Sequence, residues 1–121
     1  MPRVIHFEIP AENPERAVEF YKKVFGWTVD KWPGPTDYWL VTTGKGEPGI
    51  DGGILKRPHP GAGTVNTIGV ADLDVALQQV QGAGGKIVVP KMAIPGVGHL
   101  AYCQDPEGNT FGMMQADPAA K

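Results

Sequence analysis

The stretch RVIHFEIPAENPERAVEFYKKVFGW, residues 3–27, decides the fold because it places a strand and a helix in immediate succession. Over residues 3–9 the side chains alternate, which is typical of a β-strand. The pattern puts Val4, His6 and Glu8 on one face of this strand and apolar residues alone on the other. One face of the first strand is therefore expected to pack in a core, while the other carries polar groups.

The second part of the stretch predicts a helix. Asn13 is a suitable N-cap, and Pro14 and Glu15 are favoured in the first turn. Apolar residues then recur at helical spacing, and Gly26 is a suitable C-cap.

The rest of the chain repeats this order of elements. After the first helix, three short strands are predicted at residues 27–31, 38–43 and 53–56. A second set follows: a strand at 65–70, a helix capped by Asp72, and strands at 86–89, 99–103 and 109–115. The two helix caps are 59 residues apart. The two halves share the order of their strands and helix, but few identical residues.

This pattern predicts an α+β fold made of two tandem βαβββ modules within a single domain. Module 1 spans about residues 3–57, a linker covers 58–63, and module 2 spans about 64–116. We expect each module to contribute a curved mixed sheet, so that together they form a half-barrel cleft. The 17 Gly and 12 Pro mostly punctuate these short strands.

Composition and charge exclude several classes of partner. The net charge is −2 and no basic stripe is present, which argues against nucleic-acid binding. No apolar run approaches the ~20 residues of a membrane span, and the first ten residues contain no signal-peptide core. The single cysteine, Cys103, cannot form an internal disulfide. A cytoplasmic location without membrane association is therefore expected.

Two motifs resemble those of a known superfamily. HFEIP at residues 6–10, with RAVEFY at 16–21 and VFGW at 24–27, resembles the opening of the vicinal oxygen chelate superfamily. DPEGN at 105–109 resembles its characteristic turn before the last strand. This superfamily includes glyoxalase I, bleomycin-resistance proteins and extradiol dioxygenases, and the match, closest to small glyoxalase-like proteins, covers nearly the whole chain.

The resemblance implies a homodimer with a divalent metal in the cleft. The family's metal-ligand positions can be compared with the residues of this sequence one by one. His6 matches the family's first ligand, but Asn66 stands at the equivalent position of module 2. Gly53 and Gly112 stand where the family carries carboxylate ligands. The usual metal-ligand set is therefore largely lost, and the two glycines are expected to widen the cleft for a bulkier ligand.

Two further sets of residues are candidates for the site. His6, Glu8 and His99 could form a rearranged two-histidine, one-carboxylate metal site for Zn, Ni, Fe or Mn. Alternatively, His6 and Glu8 hydrogen-bond each other or water, and Glu8 acts as a general base or only lines the cleft. Three aromatic residues are candidates for stacking on a flat ligand or for core or dimer packing: Trp39, Tyr38 and Trp32. The predicted ligand-binding cleft thus contains His6, Glu8, Trp39, Asn66, His99 and Gly112.

Three functional hypotheses follow. The first is a protein of the glyoxalase/bleomycin-resistance type that binds a small organic ligand without a metal or other cofactor. The second is a divalent-metal-dependent lyase, isomerase or dioxygenase that resembles lactoylglutathione lyase or an extradiol enzyme and uses the rearranged site. The third is a metal-free enzyme in which Glu8 and His6 form an acid–base pair.

Overall fold

A computed structural model describes residues 2–121 and contains two helices and eight strands among them. The elements follow the predicted order. They are β1 (Arg3–Ala11), α1 (Pro14–Phe25), β2 (Thr28–Lys31), β3 (Tyr38–Thr42), β4 (Asp51–Lys56), β5 (Val65–Gly69), α2 (Leu73–Gly82), β6 (Lys86–Ile94), β7 (Gly98–Gln104) and β8 (Thr110–Ala116). The α+β class and the two βαβββ repeats are therefore confirmed. No described helix is long and apolar enough to cross a membrane.

The chain divides into two compact units. One unit is His6–Val65, and the other comprises residues 2–5 together with Asn66–Lys121. In the first unit the strands lie in the order β2-β3-β4-β1, with β1 and β4 parallel and the other neighbours antiparallel. In the second unit the order is β5-β8-β7-β6, with β5 and β8 parallel.

The caps of α1 follow from the sequence. The Asn13 side chain accepts a hydrogen bond from the Arg16 backbone N–H at 3.2 Å, which satisfies one of the free donors at the helix start. The helix ends at Gly26, which adopts a left-handed conformation with φ of 71°. Its N–H then donates to the Lys22 carbonyl oxygen.

The core of the first unit lies between α1 and one face of its sheet. Val18 of α1 packs in a cluster with Val41 of β3 and the fully buried Ile54 of β4. Phe7 and Ile9 of β1 contact the same cluster, as the alternation in the sequence predicted. This packing directs His6 and Glu8 to the opposite face, which we call the polar face.

The second unit is built in the same way. Its core contains Leu73 of α2, Ala101 and Cys103 of β7, and Met113 of β8. Asp72 caps α2 by accepting a hydrogen bond from the Val75 N–H at 3.1 Å.

The DPEGN motif forms a closed turn between β7 and β8. The Asp105 carboxylate accepts hydrogen bonds from the backbone N–H groups of Glu107 and Asn109, each at 2.9 Å, and from the Asn109 side chain at 3.0 Å. The bond from the Asn109 side chain contributes most to lowering the pKa of Asp105. Gly108 completes the turn with a φ of 83°.

Candidate functional site

The polar face of the first unit brings four positions together. β1 and β4 run parallel, with His6 opposite Asp51 and Glu8 opposite Gly53. Residues paired in this way point to the same side of a sheet. Glu8 is buried, with 8% of its surface exposed, although it carries a polar carboxyl group. Buried carboxylates require polar partners, so the contacts of Glu8 define the site.

The Tyr38 side chain reaches His6 and Glu8 from β3, and β4 lies between β3 and β1. Neighbouring strands lie about 4.8 Å apart, so a side chain on β3 contacts β1 only by crossing the strand between them. Gly53 makes this crossing possible. A Cβ atom added at this glycine would overlap the phenol oxygen and ring carbons of Tyr38. The phenol of Tyr38 therefore fills the space that a side chain at position 53 would occupy.

The Tyr38 hydroxyl lies between His6 and Glu8. It donates to Glu8 Oε2 at 2.9 Å and is 2.7 Å from His6 Nε2. A phenol has one proton to donate, so the hydroxyl oxygen accepts from Nε2–H of the imidazole. This assignment follows from the hydrogen-bond network and places the lone pair of a neutral His6 on Nδ1. Among residues 2–121, no hydrogen bond to Nδ1 is found.

Burial and nearby charges shift the pKa of His6 in opposite directions. Burial lowers the pKa of His6 because it disfavours the imidazolium, and the charges of Glu8 and Asp51 only partly oppose this effect. The Asp51 carboxylate also accepts a hydrogen bond from the Thr43 backbone N–H at 2.9 Å. At neutral pH His6 is therefore an uncharged imidazole that can accept a hydrogen bond or a proton at Nδ1.

The structure places Trp39 on the other side of the same sheet. Successive side chains of β3 point to opposite faces of the sheet, so Trp39 points away from Tyr38. It packs against the cluster that contains Ile54. Lys31 Nζ lies 5.3 Å from the centre of its ring. Trp39 thus contacts the α1-facing core, the second of the two roles considered for it.

Two of the predicted residues in module 2 face α2. Asn66 pairs with Phe111, which packs against the α2-facing core, and Asn66 itself is exposed. His99 pairs with Gln115, whose side chain accepts a hydrogen bond from the Leu73 N–H at the start of α2. His99 Nε2 also lies 3.4 Å from Asp117 Oδ2.

Gly112 lies on the opposite face of the second unit's sheet from Asn66 and His99. It pairs with Thr67, and a Cβ atom at this glycine would lie 2.9 Å from Thr67 Oγ1 and 3.5 Å from Tyr102 Cε1. The expectation that Gly53 widens the cleft is not met, because the phenol of Tyr38 fills the space beside it, and a side chain at position 112 would contact Thr67.

The residues present do not fit the metal that the resemblance implies. Across the described residues, no group of three or more His, Cys, Asp or Glu side chains could hold a metal ion. At His6, Nε2 is engaged by the Tyr38 hydroxyl, which leaves Nδ1 as the one lone pair of this imidazole. Stable divalent-metal sites need three or four converging ligands, which a single imidazole nitrogen does not provide.

For Tyr38 the sequence indicated stacking on a flat ligand or packing in the core, and it did not predict that the hydroxyl bonds to His6 and Glu8. Its contacts with β1 depend on the pairing of three strands, which the local sequence does not show. A signal is nevertheless present, because Gly52 and Gly53 are consecutive glycines inside a strand. Glycine within a strand often marks a point where another group approaches the backbone closely.

Sequence similarity to known proteins extends over most of the chain. Residues 3–113 match the Glyoxalase/Bleomycin resistance protein/Dioxygenase superfamily. A glyoxylase-like domain-containing protein of Didymella fabae is 31% identical over 112 residues, covering 88% of both chains. CFP32 of Mycobacterium bovis and of Mycobacterium tuberculosis is 28% identical over 115 residues, which is 92% of this chain and 43% of CFP32. The chain thus spans less than half the length of these mycobacterial relatives.

Solved structures with low sequence identity share the fold. The hypothetical protein BH1468 from Bacillus halodurans is 13% identical with a TM-score of 0.76, covering 99% of this chain and 98% of its own. Methylmalonyl-CoA epimerase from Mycobacterium tuberculosis is also 13% identical, with a TM-score of 0.73 and coverage of 95% and 88%. Since the sequence match extends over most of the chain, the protein belongs to the glyoxalase/bleomycin resistance protein/dioxygenase superfamily.

Proposed function

We propose that this protein binds a small organic molecule on the polar face of the His6–Val65 unit, without a tightly held metal. The observation that carries this proposal is the Tyr38 hydroxyl, which bridges His6 Nε2 and Glu8 Oε2. The three side chains form a polar group fixed by hydrogen bonds within the unit. Such fixed polar groups provide orientation and specificity in ligand-binding sites.

The polar face also offers an apolar contact beside this group. Leu40 pairs with Gly53 across β3 and β4, lies on the same face and is 42% exposed. A ligand with an apolar body and a hydroxyl or N–H group suits this arrangement. The body would cover Leu40, while the donor would bond to the lone pair on His6 Nδ1.

Metal analysis tests the first part of the proposal. Protein purified without chelators should contain well below one Zn, Ni, Fe or Mn per chain, and titration with these ions should show no stoichiometric site. Tyr38→Phe should not create one, because the donors remain too few. Stoichiometric metal that is lost in His6→Ala would overturn the proposal and favour the rearranged metal site.

Ligand binding is tested with catechol and its dimethyl ether. Catechol should shift the NMR signal of His6 saturably, whereas the dimethyl ether, which lacks the donors, should bind at least about tenfold more weakly. Equal binding of the two compounds would show that His6 does not recognise a donor. The matched variant His59→Gln removes an exposed histidine and should leave binding unchanged.

A second candidate function is metal-free proton transfer by the same residues. The specific observation is a neutral His6 whose Nε2–H leads through a hydroxyl to a buried carboxylate. If Nδ1 of His6 accepts a proton from a substrate carbon, the imidazole can release the proton on Nε2 to the Tyr38 oxygen. The phenol proton would then pass to Glu8, which ends as the neutral acid. Reversal of these steps would return a proton to the carbon, and exchange of the Glu8 proton with solvent before that reversal would give hydrogen exchange at the carbon.

Deuterium exchange tests this second function. Methylmalonyl-CoA and the hemithioacetal of methylglyoxal with glutathione are suitable probes, because each has an acidic C–H beside a carbonyl or its equivalent. Exchange in D₂O with chelator present should fall about 10²–10⁴-fold in Glu8→Gln. Glu19→Gln, an exposed change on α1, is the matched control and should retain exchange. Absence of exchange with both probes would leave ligand binding as the function.

Two further expectations stay predictions: the homodimer that the resemblance implies and the cytoplasmic location that the sequence composition indicates. A homodimer would appear at twice the 12.9 kDa chain mass in light scattering. A cytoplasmic location would be tested by fractionation of cells expressing the full natural protein.

A further inference from the structure

We propose a second binding site in the first unit, a groove that takes a monocarboxylate with an aliphatic or aryl tail. The groove is open to solvent and has a volume of about 640 Å³ between the end of β1 and the first turns of α1. It shares no residue with the His6–Tyr38–Glu8 group. We call it the arginine groove, after Arg16 and Arg57 in its lining.

The charges of the groove are unbalanced. The lining contains two basic residues, Arg16 and Arg57, and one acidic residue, Glu12. Among residues 2–121, neither arginine side chain forms an ion pair or hydrogen bond. The local excess is therefore one positive charge, which a single carboxylate would balance. Guanidinium groups match the planar geometry of carboxylates.

Arg57 is held in place as part of the groove wall. Its backbone N–H donates to the Ala11 carbonyl oxygen at 2.8 Å, which ties the residue to the end of β1. The side chain is half-buried, and its Nε is buried without a hydrogen-bond partner. Buried polar groups of a cation are costly when they lack partners, so the guanidinium sits where a counter-charge would stabilise it.

Apolar groups line the rest of the groove. Ile9 and Ala17 form part of its wall, and the Phe20 ring is 55% exposed. Phe20 meets Tyr21 edge-on with ring centres 5.1 Å apart, so its position is supported. An exposed, oriented ring beside an unpaired guanidinium suits a ligand with an apolar tail and an anionic head. The first turn of α1 adds a favourable field for the anion.

NMR titration of the ¹⁵N-labelled full chain with octanoate tests this proposal, with octanol and octylamine as comparison probes. Octanoate should shift amide signals of residues 9–21 and 57, and bind at least about tenfold more tightly than octanol. Octylamine should bind more weakly still, since its charge is repelled. Raising the salt concentration should weaken octanoate binding.

Variants of the two arginines test which side chains bind the carboxylate of octanoate. Arg57→Gln should weaken octanoate binding about tenfold or more, whereas Lys56→Gln changes the adjacent charge and should leave binding unchanged. Arg16→Gln is a second variant at an exposed position and should weaken binding even if Arg57→Gln disturbs the fold. Glu8→Gln should leave octanoate binding intact, which separates this site from the polar face.

Three outcomes would overturn the proposal. These are octanol binding as tightly as octanoate, octanoate binding unaffected by both arginine changes, and no saturable shift in the groove up to the solubility limit of octanoate.

Discussion

The ring of Tyr38 lies over Gly53, so that a methyl group at position 53 would overlap the phenol oxygen. This relationship spans two neighbouring strands and determines which groups meet on the polar face. It makes Gly53 a positioning residue for the contacts of Tyr38 with His6 and Glu8.

Gly53→Ala should displace the Tyr38 ring and break its hydrogen bonds to His6 and Glu8. Overpacking of this kind costs about 1–3 kcal/mol of unfolding free energy, which urea denaturation can measure. Gly63→Ala is the matched control, because a Cβ atom there meets no atom within 4 Å. Equal stability of the two variants would show that the ring is free to move away.

Tyr38→Phe should lower the free energy of unfolding by about 1–3 kcal/mol, because the buried Glu8 carboxylate and His6 Nε2 lose the hydroxyl between them. Tyr21→Phe removes a hydroxyl that makes no hydrogen bond to the described residues and should change stability little. Chemical denaturation of both variants compares them directly. A Tyr38→Phe protein as stable as Tyr21→Phe would contradict the hydrogen-bonded chain.

The lowered pKa of His6 predicts a pH dependence of stability. Burial is the main cause, so the folded chain binds this proton more weakly than the unfolded chain does. Stability rises with pH wherever the unfolded state binds more protons. The free energy of unfolding should therefore fall as pH decreases from the ordinary histidine value of about 6.5 towards the pKa in the folded chain.

Two measurements check this dependence on His6. NMR titration of the imidazole should give a pKa below the ordinary value. His6→Gln should flatten the decrease in unfolding free energy between about pH 7.5 and 5.5. His59→Gln retains His6 and should keep the slope of the natural protein, so equal slopes in all three proteins would contradict the prediction.

The turn between β7 and β8 depends on Asp105. Asp105→Ala should lower the midpoint of urea denaturation, because two backbone N–H groups and the Asn109 amide lose their acceptor. Glu107→Ala keeps those bonds and serves as the control. Because hydrogen bonds lower the pKa of Asp105 in the folded chain, its contribution is present above the ordinary aspartate pKa. It should be lost as pH falls through the lowered value, and a variant whose midpoint equals that of Glu107→Ala would contradict this role.

Local signals predicted most of the fold. The Asn13 cap, the left-handed Gly26 and the alternation along β1 each follow from short stretches, and the structure has all three. The end of β6 was less predictable, since this strand continues to Ile94 through Pro90. Its pairing with β7 contains register shifts that accommodate the irregular stretch.

The candidate site was only partly predictable, because it depends on which face each strand presents. The sequence correctly placed His6 and Glu8 on the face of β1 opposite the core. For β3, β5 and β7 no such pattern distinguishes the faces, and Trp39, Asn66 and His99 lie on the helix-facing sides of their sheets. Shifting a strand by one residue reverses every side chain, so small uncertainties of register decide these assignments.

The contact between Gly53 and Tyr38 also limits how this chain can change by mutation. A glutamate at position 53, where the resemblance assigns a carboxylate, would collide with the phenol as long as Tyr38 remains. Replacing Tyr38 alone would remove a hydrogen-bond donor to the buried Glu8 without adding a metal ligand. Each single change is therefore disfavoured, and placing a carboxylate at position 53 requires both positions to change together. Gly53 and Tyr38 are therefore a coupled pair, in which the residue tolerated at one position depends on the residue at the other.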